Sequence, residues 1–315
     1  MKLFGIDIGG TSIKIGFFEE DGSLIEQWQI PTHPQYLLEE LTQSIKTYLS
    51  KNEISFDEIY GYGLGIPGIV KDGIALSCVN LGWVQTDIKK EFRRALGYEA
   101  NVYVFNDANI AAFGEASYLK EKPSTVVFVT LGTGVGGGII LNHEILEGTE
   151  GICGEIGHMF IDDKYKFKCG CGNVGCLETI ASATGIVRLA FYYKDKLPSS
   201  LVFHNSLTAK EVIDAAKKED PLAIHVVDEA CLALGRALSS IAVLLNPDAF
   251  IIGGGLSNAG SFLLQKIKEN YQKTCIQQAK NINLKLAGLK NNAGIYGACA
   301  YLIKKKHEVE KNGKC

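Results

Sequence analysis

Two stretches of the chain share one design, and they restrict its fold more than any other feature. Leu3-Phe4-Gly5-Ile6-Asp7-Ile8 is an apolar run followed by Gly9-Gly10-Thr11-Ser12 and a second run, Ile13-Lys14-Ile15-Gly16-Phe17-Phe18. Thr125 to Leu131 is another such run, ending in Gly132-Thr133-Gly134-Val135-Gly136-Gly137-Gly138 and returning as Ile139-Ile140-Leu141. Strand, Gly/Thr turn and strand, repeated about 120 residues apart, indicate an internally duplicated α/β domain. Each turn offers backbone N–H groups and a hydroxyl, a cradle for phosphate oxygens. A strand rather than a helix follows each turn, so neither is a dinucleotide-binding fingerprint. Asp7 lies inside an apolar run, where an unpaired carboxylate is costly; a cation or a magnesium-bound water would give it a partner, and the alternative is an ordinary hairpin with a hydrogen-bonded Asp.

The remaining chain alternates strands and helices. After Asp21-Gly22 the spacing predicts a strand over Leu24 to Ile30 and an amphipathic helix over Tyr36 to Leu49. Ile59 to Ile66 is an apolar run that Gly65-Ile66-Pro67-Gly68 breaks into a loop, and Asn80-Leu81-Gly82-Trp83 falls in another loop. Val102 to Phe105 reads as a buried strand, with Asn106-Asp107-Ala108-Asn109 directly after it and a helix of small residues beyond. Asp107 therefore sits where a strand ends and a helix begins, a usual place for ligand groups in open α/β sheets. It could instead be a helix N-cap, although Asn106 or Asn109 could fill that role.

Further on, Leu177 to about Tyr193 reads as one helix, Thr208-x-x-Glu211 as a capping box, and Asp220-Pro221 as the start of a long helix to about Leu245. Ala249 to Ile252 is a buried strand that breaks into Gly253-Gly254-Gly255, where bare backbone can meet a flat ring or a phosphate. A helix is expected from about Gly260, a strand over Ile282 to Leu289 and a helix over Ile295 to Lys304, with a solvated, frayed tail from Lys305.

The most specific chemical signal is His158 with Cys169, Cys171 and Cys176, spaced His-x10-Cys-x-Cys-x4-Cys. Glycines beside the cysteines let three sulfurs reach one ion, and zinc favours four nitrogen and thiolate ligands in a tetrahedron. With all four positions taken by protein, the metal is structural, a brace for the nearby carboxylates Glu155 and Glu178. A redox role for these thiols is the weaker reading. Cys78, Cys153, Cys231, Cys275, Cys299 and Cys315 lie in apolar or tail contexts and read as free thiols.

At 315 residues the chain has room for two domains. Its net charge is −3, with 32 basic residues interspersed among 35 acidic ones, so there is no electrostatic case for nucleic acid or an anionic membrane as partner. No apolar run approaches the length needed to span a bilayer, and Met1-Lys2-Leu3 leads straight into a strand pattern without an export signal. Nine cysteines, an odd number with metal-type clustering, fit a reducing cytoplasm.

The motifs DIGGTSIKIG at 7–16, GIPG at 65–68, NDANIAAFGE at 106–115, LGTGVGGGI at 131–139, GEIGH at 154–158, CGCGNVGCLE at 169–178 and IIGGG at 251–255 resemble the ROK family of bacterial sugar kinases, particularly its glucokinases. The resemblance implies two actin-like (ribonuclease H-like) α/β domains around an interdomain cleft. The smaller would comprise 1–117 plus 293–315 and the larger 118–292, with hinge closure on sugar. It implies ATP with Mg2+ as co-substrate, a structural Zn2+ and a homodimer. Asp107 matches the general base. Asn106, Asp107, Glu155, His158 and Glu178 match sugar-hydroxyl contacts, and His158, Cys169, Cys171 and Cys176 match the zinc ligands. Asp7, Gly9, Gly10, Thr11 and Lys14, with Gly132, Thr133 and Gly134, match the phosphate segments, and Gly253, Gly254 and Gly255 the adenosine side. The expected reaction is phosphorylation of the glucose 6-hydroxyl, with N-acetylmannosamine, N-acetylglucosamine or fructose as alternative acceptors. A sugar-responsive repressor would carry a winged DNA-binding domain before the first loop, where only six residues precede Asp7. An actin-like ATPase without a sugar substrate would have no use for the zinc-organised glutamates.

Overall fold

The computed structural model describes residues 1–312. The chain divides into two compact units, one made of Met1–Lys122, Glu144–Cys153 and the chain from Asn291 onward, the other of Pro123–His143 and Gly154–Lys290.

The first unit opens with β1 (Lys2–Ile8), β2 (Ser12–Phe18), β3 (Leu24–Pro31), α1 (Leu37–Lys51) and β4 (Ile59–Ile66). It continues through β5 (Ile69–Lys71), β6 (Ile74–Cys78), β7 (Trp83–Asp87), α2 (Ile88–Leu96), β8 (Asn101–Asn106) and α3 (Asp107–Tyr118). Its main sheet has the order β3-β2-β1-β4-β8, antiparallel in the β1–β2–β3 meander and parallel from β1 through β4 to β8. Leu37, Leu41, Ile45 and Leu49 recur every four residues along α1 and are all buried. Each such side chain contributes about 1.5–3 kcal/mol when fully buried, so this stripe fixes which face of α1 meets the core.

In the second unit, β9 (Val126–Leu131) and β10 (Val135–Leu141) form an antiparallel hairpin; the chain then visits the first unit as β11 (Glu144–Ile145). There follow α4 (Glu178–Ala181), α5 (Ala183–Tyr193), α6 (Ala209–Ala216), α7 (Pro221–Leu245), β12 (Ala249–Gly253), α8 (Ser261–Thr274) and β13 (Asn283–Leu286). β9 pairs parallel with β12, and β12 with β13. Hairpin first, then parallel strands: this is the order of β2-β1-β4-β8, so the duplication read from the two glycine turns is present in the strand topology. The expected caps are present too. Thr208 and Glu211 form a reciprocal capping box, and Asp220 caps α7 through the Ala223 N–H.

The final helix, α9 (Ala293–Asn312), belongs to the first unit. It packs on β1, β4 and α3 at backbone distance, and glycines make that approach possible. A Cβ on Gly5 would lie 2.1 Å from Ile295 O, one on Gly114 2.5 Å from Ala293 O, and one on Gly297 1.9 Å from Ile110 O.

Four local expectations differ from what the chain does. The region beyond Lys305 is helix, not frayed tail, through Asn312, because Lys304, Lys305 and Lys306 pair with Glu144, Glu308 and Glu20; Cys315 lies outside the described residues. The stretch from Ile69 to Asp87 holds a three-stranded sheet, β5-β6-β7, in which Trp83 starts a strand, and α2 follows with Asp87 as its cap. The helix expected over Leu177 to Tyr193 is broken at Ser182, whose extended backbone lets its hydroxyl cap α5 at the Gly185 N–H. The last strand is shorter than expected, Asn283–Leu286.

Replacing Gly297 by alanine places a methyl carbon inside the Ile110 carbonyl and should separate α3 from α9. A loss of about 3 kcal/mol is expected, read as a fall in melting temperature of about 5–10 °C.

Candidate active site and metal centre

In the first unit the parallel register sets the site residues at one end of the sheet. Asp7 in β1 pairs with Gly65 in β4, and Ile66 in β4 pairs with Asn106 in β8. Asp7 also lies directly opposite Lys14 of β2. Burial pushes the Asp7 carboxyl above its ordinary range, and the Lys14 ammonium opposes that shift. The first turn of α9 presses on the same carboxylate: a Cβ on Gly294 would lie 2.7 Å from Asp7 Cγ. Unpaired N–H groups at a helix start favour negative charge there. The Gly9-Gly10-Thr11 turn is tied back by Thr32, whose hydroxyl donates to Gly9 O at 2.7 Å and whose N–H donates to Thr11 O at 3.1 Å. Sequence reading missed Thr32; the hairpin register, which sets Ser12 beside Pro31, is the signal that could have found it.

Asp107 is the first residue of α3, and Asn106 is the cap: its Oδ1 accepts from Asn109 N–H at 2.9 Å. The capping alternative for Asp107 is thereby answered by its neighbour. Asp107 Oδ1 accepts from Ala108 N–H at 2.7 Å and from Asn106 Nδ2 at 3.1 Å, and Asn106 Nδ2 also donates to Gly68 O at 3.0 Å. Both residues are half-buried, so the carboxylate is held yet reachable.

In the second unit His158, Cys169, Cys171 and Cys176 come together, with one ligand atom from each lying within 4.8 Å of all the others. Cys169 Sγ is 3.5 Å from His158 Nδ1, and Cys171 Sγ is 3.6 Å from Cys176 Sγ. A tetrahedron with Zn–S bonds of about 2.3 Å has edges of about 3.8 Å, so the donor set fits zinc in type, number and spacing. The knuckle is built by backbone hydrogen bonds, Cys169 N–H to Asn173 O and Gly172 N–H to Cys169 O, with Gly172 and Gly175 in the left-handed conformation. In these thiols the Asn173 N–H is the main cause lowering Cys171 to about 7, whereas burial raises Cys169 and takes Cys176 to about 12.

The carboxylates attach to this cluster as the sequence suggested. His158 turns Nδ1 to the cysteines and Nε2 towards Glu155 Oε2, 3.9 Å away. Glu178 Oε1 is 3.8 Å from Cys169 Sγ, while its Oε2 accepts from Val135 N–H at 3.0 Å. A Cβ on Gly134 would lie 2.2 Å from that same Oε2. Glu178 thus joins the cysteine cluster to the Gly132-Thr133-Gly134 turn. The turn is also anchored on the start of α5, where Ala183 N–H donates to Gly132 O and Thr184 Oγ1 to Thr133 O; Ser182 and Thr184 were not singled out from sequence.

The glycine loop is shorter than its sequence. Gly136 to Gly138 belong to β10, and a Cβ on Gly137 would strike Gly154 O at 2.7 Å and the Ile156 side chain. That glycine serves the packing of the His158 turn. Gly253 ends β12, Gly254 has φ +80° with the Leu131 backbone against it, and Gly255 begins a short 3-10 turn.

Residues 3–306 match the ROK family. A glucokinase from Halalkalibacterium halodurans is 37% identical over 98% of this chain and 97% of its own. An N-acetylmannosamine kinase from Yersinia pestis is 30% identical over 95% of this chain and 98% of its own. Among solved structures, a ROK family glucokinase from Streptomyces griseus, in complex with glucose and AMPPNP, is similar with a TM-score of 0.75 at 29% identity, over 96% of this chain and 99% of its own. With the family matched from the first glycine hairpin through α9, this chain belongs to the ROK family and has its two-domain actin-like α/β fold.

Proposed function

We infer that the protein is an ATP-dependent hexose kinase, a glucokinase that transfers the γ-phosphoryl group to the glucose 6-hydroxyl. The observation that carries the reading is the state of Asp107: a carboxylate held by Ala108 N–H and the Asn106 amide at a strand–helix junction, in a chain 37% identical to a glucokinase. Asp107 receives the proton of the hydroxyl as its oxygen bonds to the γ-phosphorus and the bond to the bridging oxygen of ADP breaks. Catalysis of this kind is mostly positioning and charge neutralisation. The magnesium that accompanies ATP neutralises phosphate charge; Asp7 is the carboxylate this chain offers towards it. Glu155, His158 and Glu178, with Asp107 and Asn106, are assigned to the sugar hydroxyls, which both donate and accept.

The glycines support the nucleotide assignments for Gly9, Gly10, Thr11, Lys14, Gly132, Thr133, Gly134 and Gly253 to Gly255. Gly10, Gly132 and Gly255 have no left-handed backbone, and nothing of the protein lies within 4 Å of where a Cβ would be. Their identity has no explanation inside the fold, which is what close approach of a ligand to bare backbone requires. Gly132→Ala should leave the melting temperature of the ligand-free protein unchanged while kcat/KM for ATP falls about 10–100-fold.

The donor set of His158, Cys169, Cys171 and Cys176 supports a structural Zn2+ that aims Glu155 and Glu178. Chelation, or Cys171→Ser, should release one equivalent of metal and raise the sugar KM before kcat falls. Metal analysis and steady-state kinetics on the same samples check this, and full retention of sugar affinity without metal would sink it. A homodimer in a reducing cytoplasm completes the reading; the mass in solution tests the dimer.

The acceptor is decided by turnover on glucose, fructose, N-acetylglucosamine and N-acetylmannosamine. Glucose should give the highest kcat/KM, and Asp107→Ala should lower kcat about 10²–10⁴-fold in a folded protein. Preference for N-acetylmannosamine would favour the second reading, which the Yersinia pestis relative motivates.

A further inference from the structure

Every carbonyl of the Gly132-Thr133-Gly134 turn is already engaged. Gly132 O accepts from Ala183 N–H at 2.9 Å, Thr133 O from the Thr184 hydroxyl at 2.8 Å and Gly134 O from Gly132 N–H at 2.9 Å. Val135 N–H, next along, donates to Glu178 Oε2 at 3.0 Å. The N–H groups of Thr133 and Gly134 remain, and neither has a partner among the described residues. The peptide bonds are trans, so each C=O points away from the N–H across the same bond. Holding Gly132 O and Thr133 O against the start of α5 therefore turns the Thr133 and Gly134 N–H groups to the opposite side. Successive N–H groups turned one way make an anion-binding concavity.

Of these peptides, Thr133–Gly134 is the one whose direction depends on a side-chain hydroxyl. Gly132 O is held by a backbone N–H, whereas Thr133 O is held by Thr184 Oγ1. Glycine at 134 permits that peptide to rotate; reversed, it would present a carbonyl oxygen to the phosphates. The direction of the hydroxyl is fixed by counting protons. Ser182 Oγ, fully buried, accepts from Gly185 N–H at 3.0 Å and lies 2.9 Å from Thr184 Oγ1. A hydroxyl has one proton to donate. Thr184 gives its proton to Thr133 O, so Ser182 gives its own to Thr184. The hydrogen bonds thus run in one sense, from Gly185 N–H through two hydroxyls to the Thr133 carbonyl, and bonds aligned in this way strengthen one another.

We propose that Thr184 is a positioning residue for the nucleotide phosphates: backed by Ser182, its hydroxyl draws the Thr133 carbonyl aside and keeps the Gly134 N–H aimed at them. Thr184 acts through the turn and not by touching the ligand. The inference rests on the assignment of the Gly132-Thr133-Gly134 turn to ATP.

Thr184→Val keeps the shape of the side chain and removes the donor. It should raise the ATP KM and lower kcat/KM for ATP about 10–100-fold. The sugar KM should stay within about threefold of wild type, and the melting temperature should fall by no more than about 4 °C. Thr184→Ser, which keeps the hydroxyl, should recover kcat/KM for ATP to within about threefold. In the ligand-free protein the Gly134 amide resonance should move or broaden in Thr184→Val and return in Thr184→Ser, because the peptide is released in one and held in the other. Thr184→Ala carries the same measurements if the valine variant melts early. An unmoved Gly134 resonance, wild-type kcat/KM for ATP in the valine variant, or a serine variant as impaired as the valine one overturns the inference. Gly132→Ala tells that failure apart from failure of the reading beneath it. Unchanged kcat/KM for ATP in Gly132→Ala removes the turn from the nucleotide site and the inference with it, whereas a loss in Gly132→Ala without one in Thr184→Val sinks the role of Thr184 alone.

Discussion

Backbone contact between α9 and its neighbours is what the first unit depends on. α9 meets α3 and β1 through Gly297, Gly114 and Gly5, so closely that a single methyl group at Gly297 would overlap a carbonyl. Glycine in a helix interior costs about 1 kcal/mol relative to alanine. Here that is offset by two helices and a strand approaching near enough for main-chain atoms to pack. The consequence for chemistry is direct. Asp7 rests against Gly294 in the first turn of α9, and Asp107 is the first residue of the helix that Gly297 crosses. Both carboxylates take their positions from one helix pair.

The second unit solves the same problem with a cluster instead of a helix. Its glycine turn is short, and a turn alone would not fix the direction of its N–H groups. Glu178 does so by accepting from Val135 N–H and filling the space against Gly134, while Cys176, two residues earlier, ties the segment to His158, Cys169 and Cys171. A metal in that cluster would act at a distance on the turn as well as on Glu155, which faces His158 Nε2. Residues that hold metal ligands in place commonly orient the groups that do the work.

Much of this was legible because it follows from local rules. The two hairpins, the Asn106-Asp107 junction, the His158 to Cys176 spacing and the caps at Thr208 and Asp220 are each set by a few consecutive residues, and the structure has them. What was not legible depends on partners far away in the chain. Gly137 and Gly132 look alike in sequence, yet one packs on Gly154 and Ile156 while the other faces open space. The helix beyond Lys305 is held by Glu144 and Glu20, which the local charge pattern cannot supply. The sheet of β5, β6 and β7 was missed because its strands are only three to five residues long, too short for an alternating pattern to register.

The duplicated topology explains why similar glycines serve different ends. In register, Asp7 pairs with Lys14 across the first hairpin and with Gly65 in the next strand. The matching positions of the second unit are Thr130, Gly136 and Gly253. The charged pair is thus present in one copy and absent in the other, where a carboxylate, Glu178, arrives from outside the sheet. The strand ends diverge in the same way. After Gly65 the chain turns at Gly68, φ +103°, whose carbonyl holds Asn106; after Gly253 it turns at Gly254, φ +80°, and leads to Gly255 with open space around it. One backbone geometry, a glycine-bearing turn at the end of the strand beside the hairpin, has become a support for the Asn106-Asp107 pair in the first unit and a bare surface in the second. The chemistry differs because the residue that follows the turn in space differs, not because the fold does.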